Sequence, residues 1–212
     1  LEAIKNFSAK SKFYQASSSE LFGKVQEIPQ KETTPFYPRS PYGCSKLFAY
    51  WITKNYREAY DLFACNGILF NHESPRRGSN FVTNKVVKGA VLIKKGLQKK
   101  LELGNMDSFR DWGHSKDYVR AMHMIINHNI PDDFVVATGE THSVRELTEY
   151  VFSKLELDYR DFVVQNPIFL RAEELPYLRG DCSKLKSTFD WVPEYTFESM
   201  MDEMIDFWMN KL

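Results

Sequence analysis

Apolar residues recur along this chain at two spacings. Short, continuous runs of strand character fall at 12–16 (Lys-Phe-Tyr-Gln-Ala), 63–70 (Phe-Ala-Cys-Asn-Gly-Ile-Leu-Phe) and 133–139 (Asp-Phe-Val-Val-Ala-Thr-Gly). Shorter strand signals follow at 101–105 and 162–164. Helical spacing governs 41–60, 81–95, 117–127, 182–189 and 197–209. Ser143 with Glu146 three residues later reads as a capping box for a further helix reaching about residue 155. Polar segments at 23–41, 71–78, 110–114 and 171–178 read as loops. The first of these carries Pro29, Pro35, Pro38 and Pro41, which exclude a regular helix before residue 41.

Ser40 is the expected N-cap of the 41–60 helix, with Pro41 at its first position. That helix is aromatic on more than one side, which predicts burial on two faces, one of them in a subunit contact. Strand, helix and strand over 12–70 form a βαβ unit, so a parallel sheet with a right-handed crossover is expected. At the N-terminus, Leu1, Ile4 and Phe7 share one helical face without a start signal, and residue 1 is not methionine. This reading expects an upstream portion.

Composition narrows the function. The chain has 212 residues, with 28 Lys and Arg against 28 Asp and Glu, a net charge of zero. That balance excludes a general nucleic-acid or acidic-membrane role, so any anion must be held by a local basic cluster. The three cysteines, Cys44, Cys65 and Cys182, lack paired metal-ligand spacing and suit a reduced, cytoplasmic protein. No apolar run is long enough to span a bilayer, and no signal peptide is legible.

The candidate chemistry lies at 17–46. Tyr42 and Lys46 are four apart and share one helix face. An ammonium one turn on, and the helix N-terminus, both stabilise a phenolate, which suits Tyr42 to act as a general base. Such pairs also occur by chance in helices. Ser17-Ser18-Ser19-Glu20 follows a strand end, where Glu20 is either a second acid–base group or a turn carboxylate.

With Tyr42-x-x-x-Lys46, the motifs Asn71-His72-Glu73-Ser74-Pro75-Arg76-Arg77-Gly78 and Arg110-Asp111-Trp112-Gly113-His114 resemble those of the GDP-mannose 4,6-dehydratases. These are extended short-chain dehydrogenase/reductases. The resemblance runs from about residue 12 to the end. It implies an α/β fold: the C-terminal part of a Rossmann-like parallel sheet with a small, mostly helical lobe. Residues 1–79 and 113–140 would form the NADP-binding part, and 80–112 and 141–212 the nucleotide-sugar lobe.

The resemblance also implies roles. Tyr42 takes the proton from the sugar 4-hydroxyl, Lys46 supports the phenolate and binds the nicotinamide ribose, and Ser18 hydrogen-bonds the 4-oxygen. Glu20 removes the C5 proton and returns it as water leaves C6. His72 and Arg77 contact NADP. Asn71, Lys85, Arg110, Arg171 and Glu174 hold GDP-mannose, the arginines as diphosphate clamps and Glu174 through ribose hydroxyls. A homodimer or homotetramer is implied, and Trp112 is expected to pack beside the site. The chain departs from the family in several places. No Gly-rich cofactor turn is present, Ser18 stands for the usual Thr, Asn84 for an expected Arg, and Ala172 for a Pro. The segment before Arg171 is also shorter. Two other readings stay open: a nucleotide-sugar 4-epimerase or 4-ketoreductase, which needs no Glu20 base, and a non-catalytic remnant.

Overall fold

The computed structural model describes residues 1–170 and 177–212. Arg171 and Glu174 lie outside the described residues. A short helix α1 (Glu2–Phe7) leads to strand β1 (Phe13–Ser18) and a 3-10 turn, Ser19–Leu21. Helix α2 (Pro41–Tyr60) and strand β2 (Ala64–Leu69) complete the βαβ unit. Then come β3 (Asn71–Glu73), α3 (Val82–Lys94), β4 (Leu101–Leu103), β5 (Phe109–Arg110) and β6 (Trp112–His114). The remainder is α4 (Ser115–Asn127), β7 (Asp133–Val136), β8 (His142–Ser143), α5 (Val144–Lys154), α6 (Tyr159–Phe162), β9 (Val163–Gln165), α7 (Ser183–Phe189) and α8 (Phe197–Lys211).

The expected α/β class is borne out. Strands β1, β2 and β7 form a parallel sheet in that order. Every residue of β2 is buried, as a central parallel strand covered on both faces requires. The 23–41 loop straps the β7 edge. Glu32 Oε1 accepts from Val135 N at 2.8 Å, and Gln30 exchanges main-chain bonds with Arg179 and Asp181. An edge strand with unpaired N–H groups is thereby covered.

Two motifs expected as loops contain strands. Asn71–Glu73 pairs in parallel with Trp112–His114, in the register Asn71↔Trp112, His72↔Gly113 and Glu73↔His114. Both stretches are polar, so neither carries the apolar alternation that marks a strand. Phe162 likewise ends α6 rather than opening β9.

Helix signals were more dependable. Ser40 Oγ accepts from Gly43 N at 3.0 Å with Pro41 at the first position, and the Ser143–Glu146 box closes in both directions. Helix α2 buries only Gly43, Tyr50 and Thr53. Its aromatic residues Phe48 and Trp51 stand exposed.

Two apolar clusters organise the chain. One packs around the sheet from Leu21, Phe70, Tyr118, Phe134 and Trp191. The other joins α3, α5 and α8 through Val87, Leu147, Val151, Met201 and Met204. Among the described residues no helix is long and apolar enough to cross a membrane.

Candidate active site

The carboxyl ends of β1 and β2 open onto a cavity of about 680 Å³. Ser18, Glu20, Tyr42, Lys46, Asn71, His72 and Arg77 all line it. Three separate stretches of sequence therefore meet at one place. The location follows from the parallel sheet, whose strand ends and helix N-termini gather on one side.

Each side chain is placed by its element. Ser18 ends β1 and its Oγ accepts from Glu20 N at 3.2 Å, capping the 3-10 turn. The hydroxyl thus serves turn geometry while its own proton stays available to donate. That turn brings Glu20 beside the first turn of α2: a Cβ built on Gly43 would lie 3.0 Å from the Glu20 main-chain oxygen. Tyr42 and Lys46 sit one turn apart on α2, with Lys46 Nζ 5.7 Å from the Tyr42 ring centroid. Lys46 Nζ also donates to Ala16 O at 2.8 Å.

Beneath the helix lies a buried polar network. Asp133 accepts both terminal nitrogens of Arg57 at 2.8 Å, Asn66 Nδ2 at 2.8 Å and Tyr50 Oη at 3.1 Å. Ser17 Oγ donates to Asn66 Oδ1 at 3.1 Å. Burial pushes the Asp133 carboxyl up, but Arg57 and Asn66 hold it below the usual carboxylate range. Helix α2 and all three strands of the sheet are tied together by this network.

His72 is oriented from two sides. Its Nδ1 lies 3.0 Å from Phe70 O, so Nδ1 carries the proton and Nε2 is left as an acceptor. Its ring stacks on the fully buried Tyr118, with centroids 4.9 Å apart. Burial holds the imidazole below its ordinary value despite the Phe70 carbonyl, so the ring is neutral at pH 7.

A second cavity of about 310 Å³ adjoins the first and shares Asn71, Arg77 and Phe81 with it. Lys85 and Arg110 line this second space, together with Asn105, Ser108 and Trp112. Lys85 Nζ lies 3.6 Å from the Phe169 ring centroid, and burial pushes its ammonium down. Arg110 is nearly buried and donates to Phe109 O at 2.8 Å. Trp112 is buried in the wall and stacks on Phe197. Its neighbour Asp111 accepts from Thr138 N and Oγ1, Gly139 N and Gly180 N, fixing the strand that carries Arg110.

Some lining residues escaped the sequence reading. Glu73 and Thr83 line the smaller cavity, and Glu73 was legible only as a member of its motif. Phe169 comes from a short apolar run, where nothing but tertiary contact marks it. Asn84, which stands where an Arg is expected, is buried. It accepts from Trp208 Nε1 at 2.7 Å and donates to Arg77 O.

The family model described as GDP-mannose 4,6 dehydratase matches residues 1–204. A GDP-mannose 4,6 dehydratase of Homo sapiens is 51% identical over 211 residues, covering 92% of this chain and 57% of the human protein. One from Vibrio cholerae serotype O1 is 48% identical over 234 residues, covering 97% of this chain and 63% of its own length. The chain thus spans well under two thirds of the human relative it matches. Among solved structures, RMD from Pseudomonas aeruginosa complexed with NADPH superposes with a TM-score of 0.91 at 26% identity, over 100% of this chain and 71% of that one.

Proposed function

The chain belongs to the GDP-mannose 4,6-dehydratase family, and on that basis we propose that the protein dehydrates GDP-mannose to GDP-4-keto-6-deoxymannose. The observation that carries this reading is the convergence of Glu20 with Ser18, Tyr42 and Lys46 on one cavity. An epimerase or ketoreductase would need the tyrosine and lysine but has no task for the carboxylate.

A nicotinamide dinucleotide, when bound, supplies the acceptor for the hydride leaving sugar C4 and its donor back to C6. The residues present fit such a group. The larger cavity has the volume of a small-molecule site, with a cationic side chain, a neutral histidine acceptor and an arginine around it. We read the dinucleotide as NADP, in keeping with the NADPH complex of the P. aeruginosa structure. His72 Nε2 would accept from it, Lys46 would hold a ribose hydroxyl, and Arg77 would face a phosphate.

The chain's own groups then divide the proton steps. Tyr42 Oη takes the proton of the sugar 4-hydroxyl, and Ser18 Oγ donates to the same oxygen. The resulting ketone acidifies the C5 proton. Glu20 removes that proton and returns it to the C6 hydroxyl, which departs as water. One carboxylate between C5 and C6 serves both transfers, and as hydride returns to C6 a proton is delivered to C5, balanced by the one Tyr42 took from the 4-hydroxyl. The smaller cavity would hold the GDP part, with Arg110 and Lys85 offering charge to the diphosphate, and Asn71 a hydrogen bond. Arg171 and Glu174 keep the roles the resemblance implies.

We take the sheet cluster as the core of the NADP-binding part and the α3–α5–α8 cluster as the core of the sugar-nucleotide lobe. The exposed Phe48 and Trp51 on α2 support pairing of this helix with a second copy, in a homodimer or homotetramer. Incubating the full-length protein with GDP-mannose and NADP tests the reading. A 4-keto-6-deoxy product is expected, and Glu20→Gln should abolish water loss while leaving GDP-mannose bound. Water elimination at an unchanged rate in Glu20→Gln would refute it.

A further inference from the structure

Strand β3 ends in Glu73, whose side chain is only 1% exposed and lines the smaller cavity. A carboxylate this deep needs partners, and it has two on one oxygen. Thr83 Oγ1, from the first turn of α3, donates to Oε2, and Arg77 Nε forms an ion pair with the same atom at 3.0 Å, its N–H not aligned for a hydrogen bond. The Arg77 guanidinium also lies flat against Phe81, 3.5 Å from the ring centroid. Its backbone is held as well: Arg77 N donates to Ser74 O at 2.9 Å, and Arg77 O accepts from Asn84 Nδ2.

Arg77 is thereby held along its main chain, by its ion pair with Glu73 and across its face. Among the described residues it is also the one arginine that lines both cavities. An arginine anchored through Nε keeps its Nη groups for a second anion. We propose that Glu73 is a positioning residue that sets Arg77 in the wall between the cavities, where one guanidinium serves both the dinucleotide and the diphosphate of the sugar nucleotide. This rests on the function proposed above. Glu73 acts here through Arg77. Its carboxylate selects one rotamer of a long side chain that would otherwise lose entropy on binding.

The test is calorimetric titration of the full-length protein with NADP⁺ alone and with GDP alone. Glu73→Gln should weaken both ligands by roughly 10-fold, the size of one charge-assisted contact that has lost its orientation. In an Arg77→Met background the same substitution should change neither Kd. Should Glu73→Gln fail to fold, Thr83→Val removes the other tie on the same carboxylate oxygen and should weaken both ligands in the Arg77 protein alone. Unchanged Kd values in Glu73→Gln or in its Thr83→Val stand-in, or equal losses with and without Arg77, would overturn the inference. A wild-type protein that binds neither ligand would overturn the proposed function, and this inference with it.

Discussion

Lys46 Nζ donates to Ala16 O at 2.8 Å, so the lysine beside Tyr42 also pins α2 to β1. One side chain thus bridges the helix that carries the proposed base and the strand that ends in Ser18. Lys46→Met should therefore lower kcat by roughly 10²- to 10⁴-fold, the range for losing general-base support. Its cost in stability should stay near 1 kcal/mol, the net worth of one hydrogen bond. Steady-state kinetics beside a urea melt separate the two. A kcat within a few-fold of wild type would remove Lys46 from the mechanism.

Tyr42→Phe should be a cleaner loss of chemistry. The ring is 53% exposed, so deleting its hydroxyl disturbs little packing. A comparable fall in kcat is expected, roughly 10²- to 10⁴-fold, with the melting temperature nearly unchanged. Retention of the deuterium-labelled C4 hydride step at its normal rate would count against the assignment.

The acid limb of stability should belong largely to Asp133. Arg57 and Asn66 hold its carboxyl below the usual range against the push of burial. A depressed folded-state value means the contribution is present above the unfolded value of about 3.9 and is lost as pH falls through the folded one. Arg57→Met leaves a buried carboxylate without its cation, at a cost of about 3–5 kcal/mol at pH 7. Urea midpoints measured from pH 7 down to 3 should show that deficit shrinking as Asp133 takes a proton. A deficit independent of pH would assign the loss to packing instead.

How much of this could be read beforehand depends on how local each signal is. Tyr42 and Lys46 were legible because a helix brings residues four apart together whatever surrounds it. Ser18 and Glu20 were legible from a strand end. The β3–β6 pair was hidden because neither Asn71-His72-Glu73 nor Trp112-Gly113-His114 shows the apolar alternation of a strand. Asp133 looked like the polar start of a strand. Its partners Arg57 and Asn66 come from different elements, and only the assembled sheet joins them. Phe169 was silent for the same reason.

Gly113→Ala should reach the cavity through two rings. A Cβ at this position would lie 2.4 Å from Tyr118 Cε2, and Tyr118 supports the His72 ring. Tyr118 is fully buried and cannot yield without moving its neighbours. Overpacking of this kind costs about 1–3 kcal/mol. Weaker NADP⁺ binding, read by calorimetry, should accompany the lower urea midpoint. Unchanged binding at reduced stability would show that His72 keeps its place without the stacked tyrosine.

Asp111 should rank with the most sensitive positions in the chain although it touches no cavity. Its Oδ1 accepts from Thr138 N and Oγ1, and its Oδ2 from Gly139 N and Gly180 N. Asp111→Ala would leave the buried Gly180 N and the part-buried Thr138 N and Gly139 N without this acceptor, at a cost of about 1–3 kcal/mol for the buried donor and less for the others. Asp111→Asn keeps one acceptor oxygen but turns an NH₂ group toward the donors that face the other. Urea midpoints should therefore fall in the order wild type, Asp111→Asn, Asp111→Ala. Arg110 precedes this anchor directly, so GDP affinity should fall in the same order in any variant that folds. An alanine variant as stable as wild type would mean that water reaches these amides, and that Arg110 is held by something other than its neighbour.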